Sequence, residues 1–81
     1  MKEGIMEIKL NQNNIKNFIV KTLGYKEDIV ITPIDNPNAI VNGKSLYSVL
    51  ALSVPNTFYV KILSMEKDII DKFNKDMESF Q

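Results

Sequence analysis

The sequence predicts an α+β domain, an open-faced β-sandwich in which three helices cover one face of a four-stranded antiparallel sheet. Four short segments alternate apolar and polar residues with the two-residue period of strands, and three others have apolar residues at helical spacing. Their order is βαββαβα, and no linker or repeat interrupts the 81 residues. The whole of 1–81 is therefore expected to form a single domain.

The first strand and the first helix follow from residue spacing. Met6, Ile8 and Leu10 alternate with charged residues, which indicates a half-buried strand. The asparagine-rich residues 11–14 then break the pattern and suit a helix N-terminus. Gly24 suits a left-handed helix end. The apolar stripe of the predicted helix consists of Ile15, Phe18, Ile19, Thr22 and Leu23.

A hairpin is predicted next. Asp28 to Ile34 has the alternation of a second strand, and Pro33 lacks an amide donor, so we expect this strand to fray there or to lie at a sheet edge. The turn residues 35–38 lead into a short third strand around Ala39 to Asn42.

The last three elements are a helix, a strand and a helix. Ser45 is expected to cap a short helix that runs to about Ser53. Thr57 to Leu63 is the fourth strand, and its polar residues belong to the solvated face of the sheet. Ser64 is a candidate cap for the last helix. That helix has an apolar stripe of Met65, Ile69, Ile70, Phe73, Met77 and Phe80. The solvated sheet face is expected to carry Glu7, Lys9, Thr32, Tyr59 and Lys61.

Composition excludes several classes of function. Ten lysines balance ten acidic residues, which argues against a nucleic-acid binder with a basic stripe. The chain has no histidine, arginine or cysteine, so imidazole catalysis, thiol chemistry and the usual zinc sites are absent. No apolar run approaches the roughly 20 residues of a membrane span. We expect a cytoplasmic, non-enzymatic protein without a cofactor or metal, as a monomer or weak homodimer.

Two segments resemble HPr, the histidine-containing phosphocarrier family of the sugar phosphotransferase system. The first is residues 41–54 (VNGKSLYSVLALSV), where a strand ends in Lys44-Ser45 and a short apolar helix follows. The second is residues 18–21 (FIVK) with Gly24-Tyr25, which is similar to the end of the family's first helix. The order of elements matches over about residues 5–80, so the resemblance implies the HPr-like fold.

The active-site histidine of the family is missing from this sequence. In HPr proteins a histidine after the first strand carries the phosphate, and residues 10–14 (LNQNN) hold that place here. An asparagine amide is not a useful phosphoryl acceptor, so the family's phosphocarrier mechanism is excluded. The chain is similar to the HPr-like proteins of catabolite repression, which lack the histidine and act as regulators.

Ser45 matches the serine that a kinase phosphorylates in many HPr relatives. A phosphate at a helix N-terminus meets free amides and the positive end of the dipole. A plain capping role explains the serine without a kinase and is the favoured interpretation of Ser45 alone. Lys44 is either a phosphate contact or a solvated lysine.

The middle helix is more apolar than one buried stripe requires. Val49 and Leu52 define one arc, whereas Leu46, Tyr47 and Leu50 define a second. If the first arc packs on the sheet, the second is an exposed patch of the kind that binds proteins. The alternative is that both arcs are buried in a small, tightly wrapped core. The resemblance implies the same, because this patch docks partners in HPr proteins.

The leading hypothesis is therefore a non-catalytic HPr-like domain that binds a protein partner through Lys44, Leu46, Tyr47 and Leu50 and is regulated at Ser45. Three alternatives stay open. The first is a small scaffold that dimerises through a strand edge. The second is a phosphoacceptor that uses another residue. The third is a ferredoxin-like ligand-binding domain, which shares the first six elements but connects its strands in a different order.

Overall fold

The structure is a computed structural model that describes residues 4–52 and 54–81. The elements are β1 (Ile5–Leu10), α1 (Ile15–Leu23), β2 (Ile29–Pro33), β3 (Val41–Asn42), α2 (Leu46–Leu50), β4 (Asn56–Ile62), α3 (Lys67–Met77) and a terminal 3-10 helix (Glu78–Phe80). The sheet order is β1-β4-β2-β3, and every neighbouring pair is antiparallel. The structure thus confirms the α+β class and the open four-stranded antiparallel sheet with three helices.

The two faces of the sheet divide as predicted. Along β1, and along β4 from Phe58 onward, every second side chain is buried, and the residues between them are exposed. The face away from the helices carries Glu7, Lys9, Thr32, Tyr59 and Lys61, of which only Thr32 is half-buried. The pairing of Tyr59 with both Glu7 and Thr32 places these three side chains in one row across the sheet.

The helices supply the other half of the core. Phe18 of α1 and Phe80 of the 3-10 helix meet edge to face with ring centroids 5.7 Å apart, a favoured arrangement for aromatic pairs. Phe73 and Met77 of α3 are fully buried, and so is Val49 of α2. One apolar core therefore lies between the helices and a single face of the sheet.

Pro33 is buried inside the sheet and does not fray it. It pairs with Phe58, and the next amide, that of Ile34, donates to the Thr57 carbonyl of β4 at 3.0 Å. Successive backbone groups point to opposite sides, so the nitrogen of Pro33 faces the β3 side. Pairing with β3 stops at Ile31, so no ladder hydrogen bond is lost there. Pro33 therefore lies at a local sheet edge, as predicted, although β2 as a whole lies between β4 and β3.

Several local predictions are corrected. Gly24 ends α1 with φ −75°, so the left-handed end does not form. Leu23 is 61% exposed because the buried stripe of α1 ends at Thr22. Met65 is 98% exposed because α3 begins only at Lys67 and Met65 precedes it. The hydroxyl of Ser64 accepts from the amide of Glu66 at 3.1 Å, in the turn before the helix.

The middle helix is shorter than predicted. It spans Leu46–Leu50, and Ser53, the predicted end, lies outside the described residues. The chain before it is held from two directions. The Thr22 hydroxyl contacts the Gly43 carbonyl at 2.9 Å, and the Gly43 amide donates to the Ile29 carbonyl at 2.7 Å. These contacts fix where α2 starts relative to α1 and β2.

Candidate functional site

The N-terminus of α2 is capped by its own serine. Ser45 has an extended backbone, and its hydroxyl accepts a hydrogen bond from the amide of Ser48 at 3.3 Å. The predicted cap is therefore present. The hydroxyl is half-buried and already occupied by an internal contact, which satisfies one of the helix's unpaired amides.

Lys44 is tied to the chain that follows α1. Its ammonium donates to the Tyr25 carbonyl at 2.5 Å, and its own amide donates to the side chain of Asn42 at 2.9 Å. The ammonium therefore lies at the junction between α1 and α2.

The two arcs of α2 differ in exposure. Val49 is fully buried and Leu52 packs partly against the core. On the other side, Tyr47 is 83% exposed and Leu50 is 45% exposed. Leu46 is half-buried, with part of its side chain on the core. The second arc is thus a largely exposed apolar surface on a helix whose opposite side is anchored.

Helix α1 adds two apolar side chains that the sequence did not assign to a surface. Val20 is 69% exposed and Leu23 is 61% exposed. With about 3.6 residues per turn, both lie on the flank opposite Lys21, which faces α3 through Asp76. Helices α1 and α2 are in contact with each other. We call Val20, Leu23, Leu46, Tyr47 and Leu50 together the α1–α2 surface.

The two helices that carry the α1–α2 surface have no acidic side chain. Residues 8–26 and 36–65, which include α1 and α2, contain no Asp or Glu. They do contain lysines, among them Lys16 and Lys44. Lys16 lies between Leu23 and Val20 around α1, on the same flank. The balanced total charge therefore hides a segregated distribution, with most acidic residues on α3 and in the loops.

A second polar group lies on the opposite side of α1. The hydroxyl of Tyr25 donates to Asp76 at 2.5 Å, and the ammonium of Lys72 lies 3.1 Å from the same carboxylate and 4.4 Å from the centre of the Tyr25 ring. Burial, followed by the hydrogen bond to Asp76, raises the pKa of Tyr25 well above its ordinary value. Burial alone would raise the pKa of Asp76, but hydrogen bonds from Tyr25 and Lys72 outweigh it and hold that pKa below its ordinary value.

Residues 11–14, between β1 and α1, form a closed turn. The side-chain oxygen of Asn11 accepts from the amides of Asn13 and Asn14 at 2.7 and 3.1 Å, and the side-chain oxygen of Asn14 accepts from the amide of Asn11 at 2.8 Å. This reciprocal pair is a capping box made of asparagines. These amides are used within the turn, so the asparagines serve as helix caps.

Within residues 4–52 and 54–81, no group of three or more acidic side chains is placed to hold a metal ion. In the same ranges, every helix is too short or too polar to cross a membrane. No protein-family model matches the chain, and no curated protein matches it. The resemblance to HPr therefore rests on the residues themselves.

Proposed function

We propose that this chain is a non-catalytic HPr-like interaction domain, not a histidine phosphocarrier, that binds a partner protein through the α1–α2 surface. The observation that carries the proposal is the contrast within one short helix. Tyr47 is 83% exposed, whereas Val49 two residues later is fully buried. A large aromatic side chain held in solvent on an anchored element is typical of a protein-binding residue.

The strand order supports the HPr-like fold over the ferredoxin-like alternative. In this sheet β1 lies at an edge and β4 lies beside it, inside the sheet. A ferredoxin-like sheet has its first strand in the interior. Helices α1 and α2 are in contact, and we propose that their exposed apolar residues act together as one binding surface.

The charges define the kind of partner. Apolar residues flanked by Lys16 and Lys44, with no carboxylate on either helix, are complementary to an apolar patch with an acidic rim. Such complementarity mainly raises the association rate and selects against basic competitors. The partner is therefore a protein with an acidic docking face, and its capture should weaken as salt is raised.

Regulation of this surface is proposed at Ser45. The residue lies two positions before Tyr47, so a phosphate of about −2 charge there would offset the nearby lysines. A partner with an acidic rim would then bind less tightly. The Ser45→Asp variant keeps an efficient helix cap while adding charge. Ser45→Asn is the matched control, because asparagine caps equally well without the charge.

The binding proposal is tested by affinity capture from an extract of the source cells with a Tyr47→Asp, Leu50→Asp double variant. Proteins bound by the wild-type chain should be lost from this variant and retained by Met65→Asp, which places the same charge at a fully exposed site elsewhere. Circular dichroism establishes that all three chains are folded. An unchanged set of captured proteins on the double variant would contradict the proposal.

A further inference from the structure

The outer edge of β1 is the longest unpaired strand edge of the sheet. Strand β1 has six residues and pairs only with β4, whereas the other edge strand, β3, has two. The Gly4 carbonyl accepts from the amide of Ile62 at 2.9 Å, so it points toward β4. Backbone groups alternate along a strand, and those of Ile5, Glu7 and Lys9 therefore point outward. Such an edge is a template for another strand.

Two carboxamide side chains occupy this edge. The side-chain amide of Gln81 donates to the Glu7 carbonyl at 3.1 Å. The side-chain amide of Asn14 donates to the Lys9 carbonyl at 3.0 Å, and its oxygen accepts from the amide of Asn11 at 2.8 Å. Two of the three outward carbonyls of β1 are thus bonded to side chains.

Asn14 imitates a neighbouring strand. In a parallel ladder, one residue donates to the carbonyl before its opposite residue and accepts from the amide after it. The carboxamide of Asn14 makes the same two bonds, to the Lys9 carbonyl and the Asn11 amide on either side of Leu10. An incoming strand would have to displace this group as well as that of Gln81.

We infer that the carboxamides of Asn14 and Gln81 close the β1 edge and keep the domain from pairing with a second copy of itself through β1. The occupant that they exclude is another β1 strand. The alternating sequence of β1 suits antiparallel pairing between the β1 strands of two copies. The sheets of the two copies would then join into one continuous sheet. This device is independent of the α1–α2 surface, which lies on the helical side of the molecule.

The test is sedimentation of an Asn14→Ala, Gln81→Ala double variant at micromolar and millimolar concentrations. The wild-type chain should keep the mass of one copy throughout, whereas the variant should approach a doubled mass at the higher concentration. A Gln12→Ala, Asn38→Ala variant, which loses two other exposed carboxamides, should behave as the wild type. A folded double variant that stays monomeric would overturn the inference, as would a wild-type dimer that Glu7→Pro dissociates.

Two further variants keep the test decisive. Glu7→Pro removes an outward amide and no bond to β4, so adding it to the double variant should return the mass to one copy. If Asn14→Ala disturbs the start of α1, the single Gln81→Ala variant decides. It leaves that turn intact and should shift toward the doubled mass to a smaller extent. No shift in this folded variant would count against the inference.

Discussion

The phenol of Tyr25 donates a 2.5 Å hydrogen bond to the carboxylate of Asp76, 51 residues along the chain. The same ring meets Phe73 edge to face, with centroids 5.8 Å apart. Tyr25 follows α1 and Asp76 is near the end of α3, so this contact ties the two long helices together. The ammonium groups of Lys72 and Lys21 form ion pairs with the same carboxylate.

Replacing Tyr25 with phenylalanine keeps the ring and removes only the hydroxyl. Because a hydrogen bond to a charged group is lost, we expect the free energy of unfolding to fall by about 1–2 kcal/mol. Urea denaturation followed by circular dichroism measures this change. Tyr59→Phe, on the exposed sheet face, is the control and should change stability very little. Equal effects of the two substitutions would mean that the Tyr25–Asp76 contact contributes nothing.

Acid should destabilise the fold through Asp76. Its folded-state pKa lies below its ordinary value, so its contribution is fully present above the unfolded-state pKa of about 3.9. That contribution is lost as the pH falls from there through the folded-state pKa. Stability curves measured from pH 6 to pH 2 should therefore drop less steeply for Asp76→Asn than for the wild type. Asp68→Asn, an exposed residue on the same helix, should retain the wild-type slope.

Asn74 is buried on α3, and neither polar atom of its side chain has a hydrogen-bond partner among the described residues. A buried carboxamide without a partner costs free energy that an apolar side chain does not. We therefore expect Asn74→Leu to raise the free energy of unfolding by about 1–2 kcal/mol. Asn17→Leu at an exposed position of α1 is the control, with a change within about 0.5 kcal/mol. A loss of stability in Asn74→Leu would contradict this reading.

The two sides of α2 should respond differently to truncation. Val49→Ala removes buried methyl groups and should lower the free energy of unfolding by about 2 kcal/mol. Tyr47→Ala removes a larger side chain from solvent and should change it by less than about 0.5 kcal/mol. Thermal and urea denaturation of both variants supply the comparison. If Tyr47→Ala proves as costly as Val49→Ala, the tyrosine belongs to the core and the α1–α2 surface is lost.

The strands were predictable because each has one buried face. In β1 the alternation of Met6, Ile8 and Leu10 with charged residues directly determines which side chains point inward. The spacing of α2 defined two apolar arcs but left open whether both were buried in a small core, and the structure leaves Tyr47 83% exposed. The α+β class was therefore accessible from residue spacing, whereas the exposure of the second arc required the structure.

Other features depend on contacts between distant residues. Met65 has helical spacing to Ile69, but the chain at Met65 precedes the helix, so the spacing is coincidental. Helix α3 has several lysines and acidic residues at equivalent spacing, so the sequence alone does not show which of them form ion pairs. In the structure, Lys72 and Asp76 both contact the hydroxyl of Tyr25, a residue distant in sequence. Val20 could have been assigned to the surface, because it is apolar and lies outside the buried stripe of its helix.

The two hydrogen bonds that hold Gly43, from Thr22 and to Ile29, determine which substitutions the domain can tolerate. A helix of five residues is too short to be stable alone, so its orientation is inherited from Thr22 and Ile29, which hold the chain before it. Tyr47 and Leu50 take no part in these two hydrogen bonds. Mutations at these two exposed positions should therefore leave the architecture intact, so the proposed binding surface can change its chemistry without a loss of foldability.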